Sequence, residues 1–129
     1  MINADVQKDL SSMITKKVDS LLQSLEQTQP MFHSLGTPEL AENDEAVRQL
    51  VGMGREIVPH LVDRIQGDAP RKTAAYVAMV LGRLGDARAV EPLRALRARY
   101  LARKSHEDWD YAVIGQCNVA LSQLEKPTP

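Results

Sequence analysis

The pattern of apolar and polar residues predicts helices throughout the chain, and it is clearest between Lys72 and Arg83. The ten residues between these two, TAAYVAMVLG, carry no charge. A helix with one face in water shows polar residues every three to four positions. We therefore expect this helix to be covered by neighbours on several sides, with its alanines allowing close approach and its valines and leucines supplying buried area.

A tight turn and a second helix are predicted to follow. Gly85 suits the left-handed conformation that ends many helices, and Asp86 can accept backbone N–H bonds as the cap of the next helix. In that helix apolar residues recur every three to four positions and form a stripe at Val90, Leu93, Leu96 and Tyr100. The two helices make an antiparallel pair, which we place at residues 70–104.

An imperfect first copy of this pair is predicted at residues 38–67. Its segment AVRQLVGMG aligns with VAMVLGRLG of the central pair, which places Gly54 on Gly85. Thr37 followed by Pro38 has the form of a helix N-cap with proline at the first helical position. We therefore expect the first helix of this copy to begin at Pro38.

A partial third copy is predicted at residues 107–125. Its segment YAVIGQCNVALSQLE aligns with the first central helix and places Leu121 on Leu81. The spacing between the second and third copies is longer than that between the first and second. We therefore expect the second central helix to extend to about Lys104, and Asp110 to cap the last helix.

Residues 5–28 are predicted to form one long amphipathic helix before the repeats, because no glycine or proline interrupts their helical spacing of apolar residues. The heptad pattern spans barely three repeats. We interpret this helix as a cap packed on the pairs, with a dimerisation helix as the alternative. The sequence thus predicts one all-α domain, residues 1–129: a short α-solenoid of about two and a half helix pairs with an N-terminal capping helix.

The junction of the two central helices carries a distinctive motif. It reads LGRLGD at residues 81–86 and RAVEPL at residues 88–93. This motif resembles the signature of the short bacterial HEAT-like repeats of the phycobilisome-lyase type, in which L-G-x-L-G-D precedes x-R-A-V-x-P-L. The resemblance implies a helical-repeat fold and a protein-binding scaffold. It does not carry over the lyase activity, for which no motif is visible in the chain.

Composition narrows the classes of protein. Aromatic residues are 4% of the chain, so alanine and leucine must do the packing, and the net charge of −1 gives no global indication of nucleic acid or membrane binding. The single cysteine, Cys117, excludes an internal disulfide and aligns with Val77, a buried helix position. We expect a cytoplasmic protein without a cofactor, a metal or a signal peptide.

Charge is unevenly distributed, since residues 71–104 contain nine basic and two acidic residues. Such a segment can bind an acidic protein or a phosphate backbone. A helical wheel spreads the arginines of the second central helix around it, so we interpret most of them as solvated or paired within the molecule. On the same wheel Ala95, Ala98 and Ala102 face outward, and we expect them to receive the second helix of the preceding pair, with a partner helix as the alternative.

No group of residues carries recognisable catalytic chemistry. Trp109 and the neighbouring Asp108 and Asp110 invite comparison with the nucleotide-holding sites of HEAT-like glycosylases, but we interpret the tryptophan as an anchor for the turn. His60 and Asp63 can share a helix face and exchange protons. Because no nucleophile or second base accompanies them, we interpret them as a surface pair.

We predict a non-catalytic scaffold or adaptor that binds another protein, with an acidic partner as one option, through a shallow concave surface lined by the second helices. The candidate contact residues are His60, Asp63, Arg94 and Arg97. A nucleic-acid-binding module based on residues 71–104 is the alternative, which the helical wheel weakens. A second alternative is an enzyme subunit of the chromophore-lyase type.

Self-association is a separate hypothesis. The third copy lacks its second helix, so we expect it to expose an apolar region made of Val113, Cys117, Leu121 and Leu124. A homodimer is therefore predicted through this open repeat or through the N-terminal helix.

Overall fold

The computed structural model describes residues 4–27, 31–32, 38–41, 44–104 and 106–125. Within them lie six α-helices: α1 (Ala4–Glu26), α2 (Glu45–Gly52), α3 (Val58–Gln66), α4 (Arg71–Leu84), α5 (Val90–Leu101) and α6 (Asp108–Leu124). Two short strands, β1 (Met31–Phe32) and β2 (Pro38–Glu39), pair antiparallel, with Met31 opposite Glu39. One-turn 3₁₀ helices precede α3 and α5, at Arg55–Ile57 and Ala87–Ala89. The predicted all-α architecture of packed helix pairs is confirmed.

Helix α4 is the most deeply buried helix. Every residue from Thr73 to Gly82 is buried, and α1, α2, α3 and α6 all pack against it. The one large polar group in its interior is satisfied, because the Tyr76 hydroxyl accepts the backbone N–H of Ala41 at 2.8 Å. The expectation that this uncharged helix is covered on several sides is confirmed.

The turns inside the two complete pairs each contain a glycine with positive φ, but their backbone conformations differ, because ψ is 27° at Gly85 and −169° at Gly54. Gly54 and Gly85 both have positive φ, 80° and 70°, and a 3₁₀ helix follows each of them. Gly85 ends α4 in the left-handed conformation, and Asp86 then accepts the backbone N–H of Arg88 at 2.9 Å, so both sequence predictions for this turn are confirmed. The turns also touch, since Arg88 donates to the backbone carbonyl of Arg55 at 3.2 Å.

Helix α1 packs on the helix pairs as the predicted cap. It contacts α2, α3 and α4 through a stripe of buried residues, Val18, Leu21, Leu22 and Leu25. Polar contacts also hold it in place. Arg64 of α3 donates to Asp19 at 2.8 Å, and Lys72 of α4 donates to the backbone carbonyl of Glu26 at 2.9 Å.

The predicted start of the first helix pair is wrong. Pro38 lies in β2 instead of opening a helix, and α2 begins at Glu45. Asp44 is the N-cap, because its carboxylate accepts the backbone N–H of Ala46 at 2.8 Å. The predicted cap, Thr37, lies outside the described residues. Strand pairing with β1 gives Pro38 an extended conformation that local sequence did not indicate.

The junction between α5 and α6 also differs from the prediction. Helix α5 ends at Leu101 and does not reach Lys104, and His106 Nε2 lies 2.8 Å from the backbone carbonyl of Tyr100 in its last turn. Glu107, not Asp110, is the N-cap of α6. Asp110 occupies the third helical position. Its carboxylate accepts the backbone N–H of Glu107, and the Glu107 side chain accepts the backbone N–H of Asp110. These two reciprocal hydrogen bonds form a capping box.

The open third repeat does not expose the face that the sequence suggested. Val113, Cys117 and Leu121 are buried and Leu124 is half-buried, because α6 turns this face onto α4 and α5. The expectation that these residues are available for a homodimer is therefore wrong. The outward face of α6 consists of other residues.

The contact between α4 and α6 depends on Gly82. A methyl group at this position would lie 2.8 Å from the Cα atom of Ala120 and 2.6 Å from the Gln123 side chain. The backbone of Ala120 cannot move aside without shifting α6. The two glycines of the L-G-x-L-G-D motif thus have different roles. Gly82 allows close helix packing, and Gly85 forms the turn.

We expect Gly82→Ala to lower the free energy of unfolding by about 1–2 kcal/mol, because overpacking exceeds the gain in helix propensity. Gly115→Ala in α6 is the matched control, since a methyl group there meets nothing within 4 Å, and it should stabilise the protein by up to about 1 kcal/mol. Urea denaturation measures both variants. Equal stabilisation by the two substitutions would contradict the close-packing role of Gly82.

Candidate interaction surface

Most basic residues of the 71–104 segment contact other groups of the same molecule, and four of the nine, Arg71, Arg88, Arg94 and Arg103, contact carboxylates. Arg94 of α5 contacts Glu91 at 2.6 Å and Glu125, just beyond α6, at 2.7 Å. Arg88 contacts Asp86 at 2.7 Å, and Arg83 also has an intramolecular partner. The interpretation that most of this charge is used within the molecule agrees with these contacts.

Other cations lie at the carboxyl ends of helices, where backbone carbonyls lack partners. Arg99 of α5 donates to the carbonyls of Ile65 and Gln66 at the end of α3. Lys72 does the same at the end of α1, and Arg55 donates to the carbonyl of Leu84 at 3.4 Å at the end of α4. These side chains act as C-terminal caps supplied by a neighbouring element.

Asp110 is a buried carboxylate at the centre of an ion-pair cluster. Its side chain is 1% exposed, and Arg71 and Arg103 approach its Oδ1 atom at 3.0 and 2.9 Å. Its Oδ2 atom accepts the backbone N–H of Glu107 at 2.8 Å. The sequence indicated a capping role for Asp110 but gave no signal for its two arginine partners, since Arg71 is far from it in the chain.

We expect Asp110→Ala to lower the free energy of unfolding by about 2–3 kcal/mol, because it removes a buried group with charge-assisted hydrogen bonds. Arg103 loses its carboxylate partner, whereas Arg71 keeps its contact with Glu107. Asp108→Ala is the control, since Asp108 is exposed in the same helical turn and contributes about 1 kcal/mol or less through the helix dipole. Thermal or urea unfolding compares the two. Similar losses for both would argue against the buried cluster.

Trp109 lies beside this cluster in a half-buried position. The Lys72 ammonium lies 5.8 Å from the centroid of its ring, within the range of a cation–π contact. The position agrees with the interpretation of Trp109 as an anchor that attaches the start of α6 to the start of α4.

The Asp86 carboxylate is held in its charged form. A side-chain hydrogen bond from Arg88, assisted by the Arg88 backbone N–H, lowers the pKa of Asp86 from 3.8 to about 2. A depressed pKa in the folded state means that the folded protein favours the ionised form more than the unfolded chain does. The resulting stabilisation is complete above pH 3.8 and disappears as the pH falls through about 2.

We expect Asp86→Ala to cost about 1 kcal/mol at neutral pH, as the loss of an N-cap usually does. The difference in stability between the native protein and this variant should shrink as the pH falls from about 4 to about 2. Urea denaturation across this pH range measures it. A difference that stays constant down to pH 2 would contradict the lowered pKa of Asp86.

The structure places the four predicted contact residues on two different sides. His60 of α3 faces α1, where its Nδ1 atom lies 3.1 Å from the Thr15 hydroxyl, while Asp63 is exposed. Arg94 and Arg97 of α5 lie together along α6, and Arg97 donates to Asn118 at 2.9 Å. Their role in partner binding stays a prediction.

A surface that the sequence suggested for internal packing is open instead. Ala95, Ala98 and Ala102 of α5 are exposed, so the expectation that α3 covers them is wrong. Leu101, whose side chain is 56% exposed, extends the same side of the helix. We call these four residues the α5 face.

A groove of about 390 Å³ borders the α5 face and separates α5 from α3. It is lined by Ile65, Gln66, Glu91, Pro92, Ala95 and Arg99. Helices α3 and α5 contact each other, and the groove lies open beside the α5 face. The helical spacing of the alanines places them on one outward side of α5, but the open groove between α3 and α5 has no local sequence signal.

The remaining chemical groups are unreactive or dispersed. Burial raises the pKa of the Cys117 thiol to about 12, so it stays protonated at neutral pH, as expected for a core residue. Within the described ranges, no three histidine, cysteine, aspartate or glutamate side chains are placed to hold a metal ion. None of the described helices is long and apolar enough to cross a membrane.

Comparison with known proteins agrees with the repeat geometry. Residues 73–97 match the family model described as PBS lyase HEAT-like repeat, a range that covers most of α4, the Gly85–Asp86 turn and the first two turns of α5. Searches among curated proteins and among solved structures gave no match. The central helix pair, residues 73–97, is therefore a HEAT-like repeat of the PBS lyase type.

Proposed function

We propose that this protein is a non-catalytic scaffold that binds a segment of another protein on the α5 face and the adjoining groove. The observation that carries the proposal is the exposure of four apolar side chains on the second helix of the central repeat, beside an open groove. Helical-repeat proteins commonly bind partners on surfaces built from repeated helices. The HEAT-like repeat at residues 73–97 supports the same class of function.

The α5 face favours a helical partner segment with small apolar residues. Alanines on one helix let the backbone of a second helix approach closely, and the exposed Leu101 supplies apolar area at one end. Arg94 and Arg99 flank the face on its two sides. Arg99 donates to a neutral backbone carbonyl, so this contact does not neutralise its positive charge. We therefore expect acidic residues along the edge of the partner segment that lies beside Arg99.

Intramolecular pairing argues against phosphate binding by the 71–104 segment. Nucleic-acid binding needs several basic groups whose charge is available to phosphates. Arg71, Arg88, Arg94 and Arg103 each contact a carboxylate of this chain. Binding to random duplex with a steep salt dependence would nevertheless favour the nucleic-acid alternative over the scaffold.

The role of the α5 face can be tested by Ala98→Arg, which places a large charged side chain in its centre. We expect this variant to bind the native partner, captured from host extract by the unmodified protein, at least about tenfold more weakly. Ala87→Arg is the matched control, since Ala87 is exposed in the 3₁₀ turn. Equal capture by both variants would exclude the α5 face as the binding surface.

A further inference from the structure

A small polar cavity adjoins the groove beside the α5 face. It lies between α5 and the loop that joins α3 to α4, and its volume is about 90 Å³, enough for a few water molecules. A carboxylate group fits such a space, whereas a nucleotide does not. The polar side chains in its wall are those of Asp68, Arg99, Tyr100 and Arg103, and we call it the Tyr100 cavity.

The Tyr100 hydroxyl is available to a ligand in this cavity. The side chain is only 5% exposed, yet its hydroxyl has no hydrogen-bond partner among the residues that the structure describes. In the same part of the chain, no fully buried side-chain nitrogen or oxygen lacks a partner. The small exposed part of Tyr100 therefore includes its hydroxyl. A nearly buried hydroxyl without a partner is unfavourable, and an acceptor in the cavity would satisfy it.

Two arginines bring positive charge to the cavity wall. Arg99 donates to the backbone carbonyls at the end of α3, which occupy part of its fork of N–H donors and leave the others for a ligand. Arg103 contacts Asp110 at 2.9 Å, and its guanidinium carbon lies 4.1 Å from the centroid of the Tyr100 ring. Because neighbouring groups already hold both side chains, ordering them around a ligand costs little entropy.

The Tyr100 hydroxyl is a hydrogen-bond donor at neutral pH. Burial raises the pKa of Tyr100, the positive charge of Arg103 opposes this rise, and Asp110 adds to it. Arg71 and Arg99 also act on the same pKa, so the hydroxyl lies in the field of three cations. A protonated hydroxyl in such a field donates to an anion.

The balance of charge favours an anion with a single negative charge. Arg71 and Arg103 share the Asp110 carboxylate, whereas Arg99 donates to neutral carbonyls, so its positive charge is in surplus. Asp68 is exposed and makes no ion pair within the described part of the chain. Its carboxylate opposes a second negative charge in the cavity. A carboxylate matches this balance better than a phosphate group, whose charge at neutral pH is close to two.

We propose that the Tyr100 cavity binds a carboxylate, which accepts hydrogen bonds from the Tyr100 hydroxyl and the Arg99 guanidinium. An aspartate or glutamate of the partner segment supplies this carboxylate, because the cavity and the groove share Ile65 and Arg99 in their walls. The source of the carboxylate rests on the proposed function, whereas the site itself does not.

Titration of the full chain with sodium acetate, followed by two-dimensional NMR at constant ionic strength, tests the site without the partner. The amide signals of residues 67–69 should shift and saturate in the millimolar range, since so small a ligand makes few contacts. Tyr100→Phe should weaken binding about tenfold, because it removes one hydrogen bond to a charged group and keeps the ring. Tyr111→Phe is the matched control, since Tyr111 is 53% exposed on α6, and it should bind acetate as the unmodified protein does.

A variant that gains affinity excludes misfolding as the cause of the effects. Asp68→Asn should bind acetate about threefold more tightly, because it removes an exposed negative charge from the cavity wall. Sodium phosphate at pH 8, where the ion is a dianion, should bind no more tightly than acetate. Circular dichroism shows that each variant retains its helices.

Competition tests whether the partner supplies the carboxylate. Sodium acetate should release the native partner, captured from host extract, at concentrations where sodium chloride of equal ionic strength does not. Tyr100→Phe should capture the partner about tenfold more weakly than Tyr111→Phe does.

The outcomes separate the site from its source. Acetate shifts that do not saturate, or that are the same in Tyr100→Phe, would overturn the carboxylate site, as would tighter binding of the phosphate dianion. Saturable acetate binding together with equal capture by Tyr100→Phe and Tyr111→Phe would overturn the partner as its source. Loss of the proposed partner surface would appear differently, as equal capture by Ala98→Arg and Ala87→Arg while acetate binding persists.

Discussion

The burial of α4 on all sides is the constraint on which the rest of the structure depends. Ten successive residues of this helix, Thr73 to Gly82, are buried, so a single neighbour on one side would leave apolar area in water. Four helices meet the need, α1, α2, α3 and α6. Helices α1 and α6 are thus both covers for the central repeat, and Gly82 lets α6 come close enough to do so.

The contacts of the cationic side chains follow from this packing. Helices that converge on one central helix bring their ends near the sides of their neighbours, where carbonyls without intrahelical partners accept bonds from long cationic side chains. Arg99 and Lys72 act in this way at the ends of α3 and α1, and Asp110 holds Arg71 and Arg103 at the start of α6. A segment that is strongly basic in sequence thereby becomes a set of internal contacts.

This packing leaves the α5 face uncovered, and our proposal places partner binding there. Its four residues, Ala95, Ala98, Leu101 and Ala102, are exposed and border the groove between α5 and α3. The same repeat therefore supplies the buried helix α4 and, on α5, the surface to which we assign the partner.

The sequence by itself determined the features that depend on near neighbours in the chain. Helical spacing located α1, α4, α5 and α6, and the glycine at the end of α4 identified its left-handed turn, because helix periodicity and capping involve residues within one or two turns. The repeat alignment likewise paired Gly54 with Gly85, which share a positive φ.

Tertiary structure alone decided which side of each helix is covered. It placed Pro38 in a strand, buried Val113 and Leu121, and left Ala98 exposed. It also joined Arg71 to Asp110. These outcomes depend on contacts between segments far apart in the chain, and a helical wheel shows that a face is apolar without showing what lies against it.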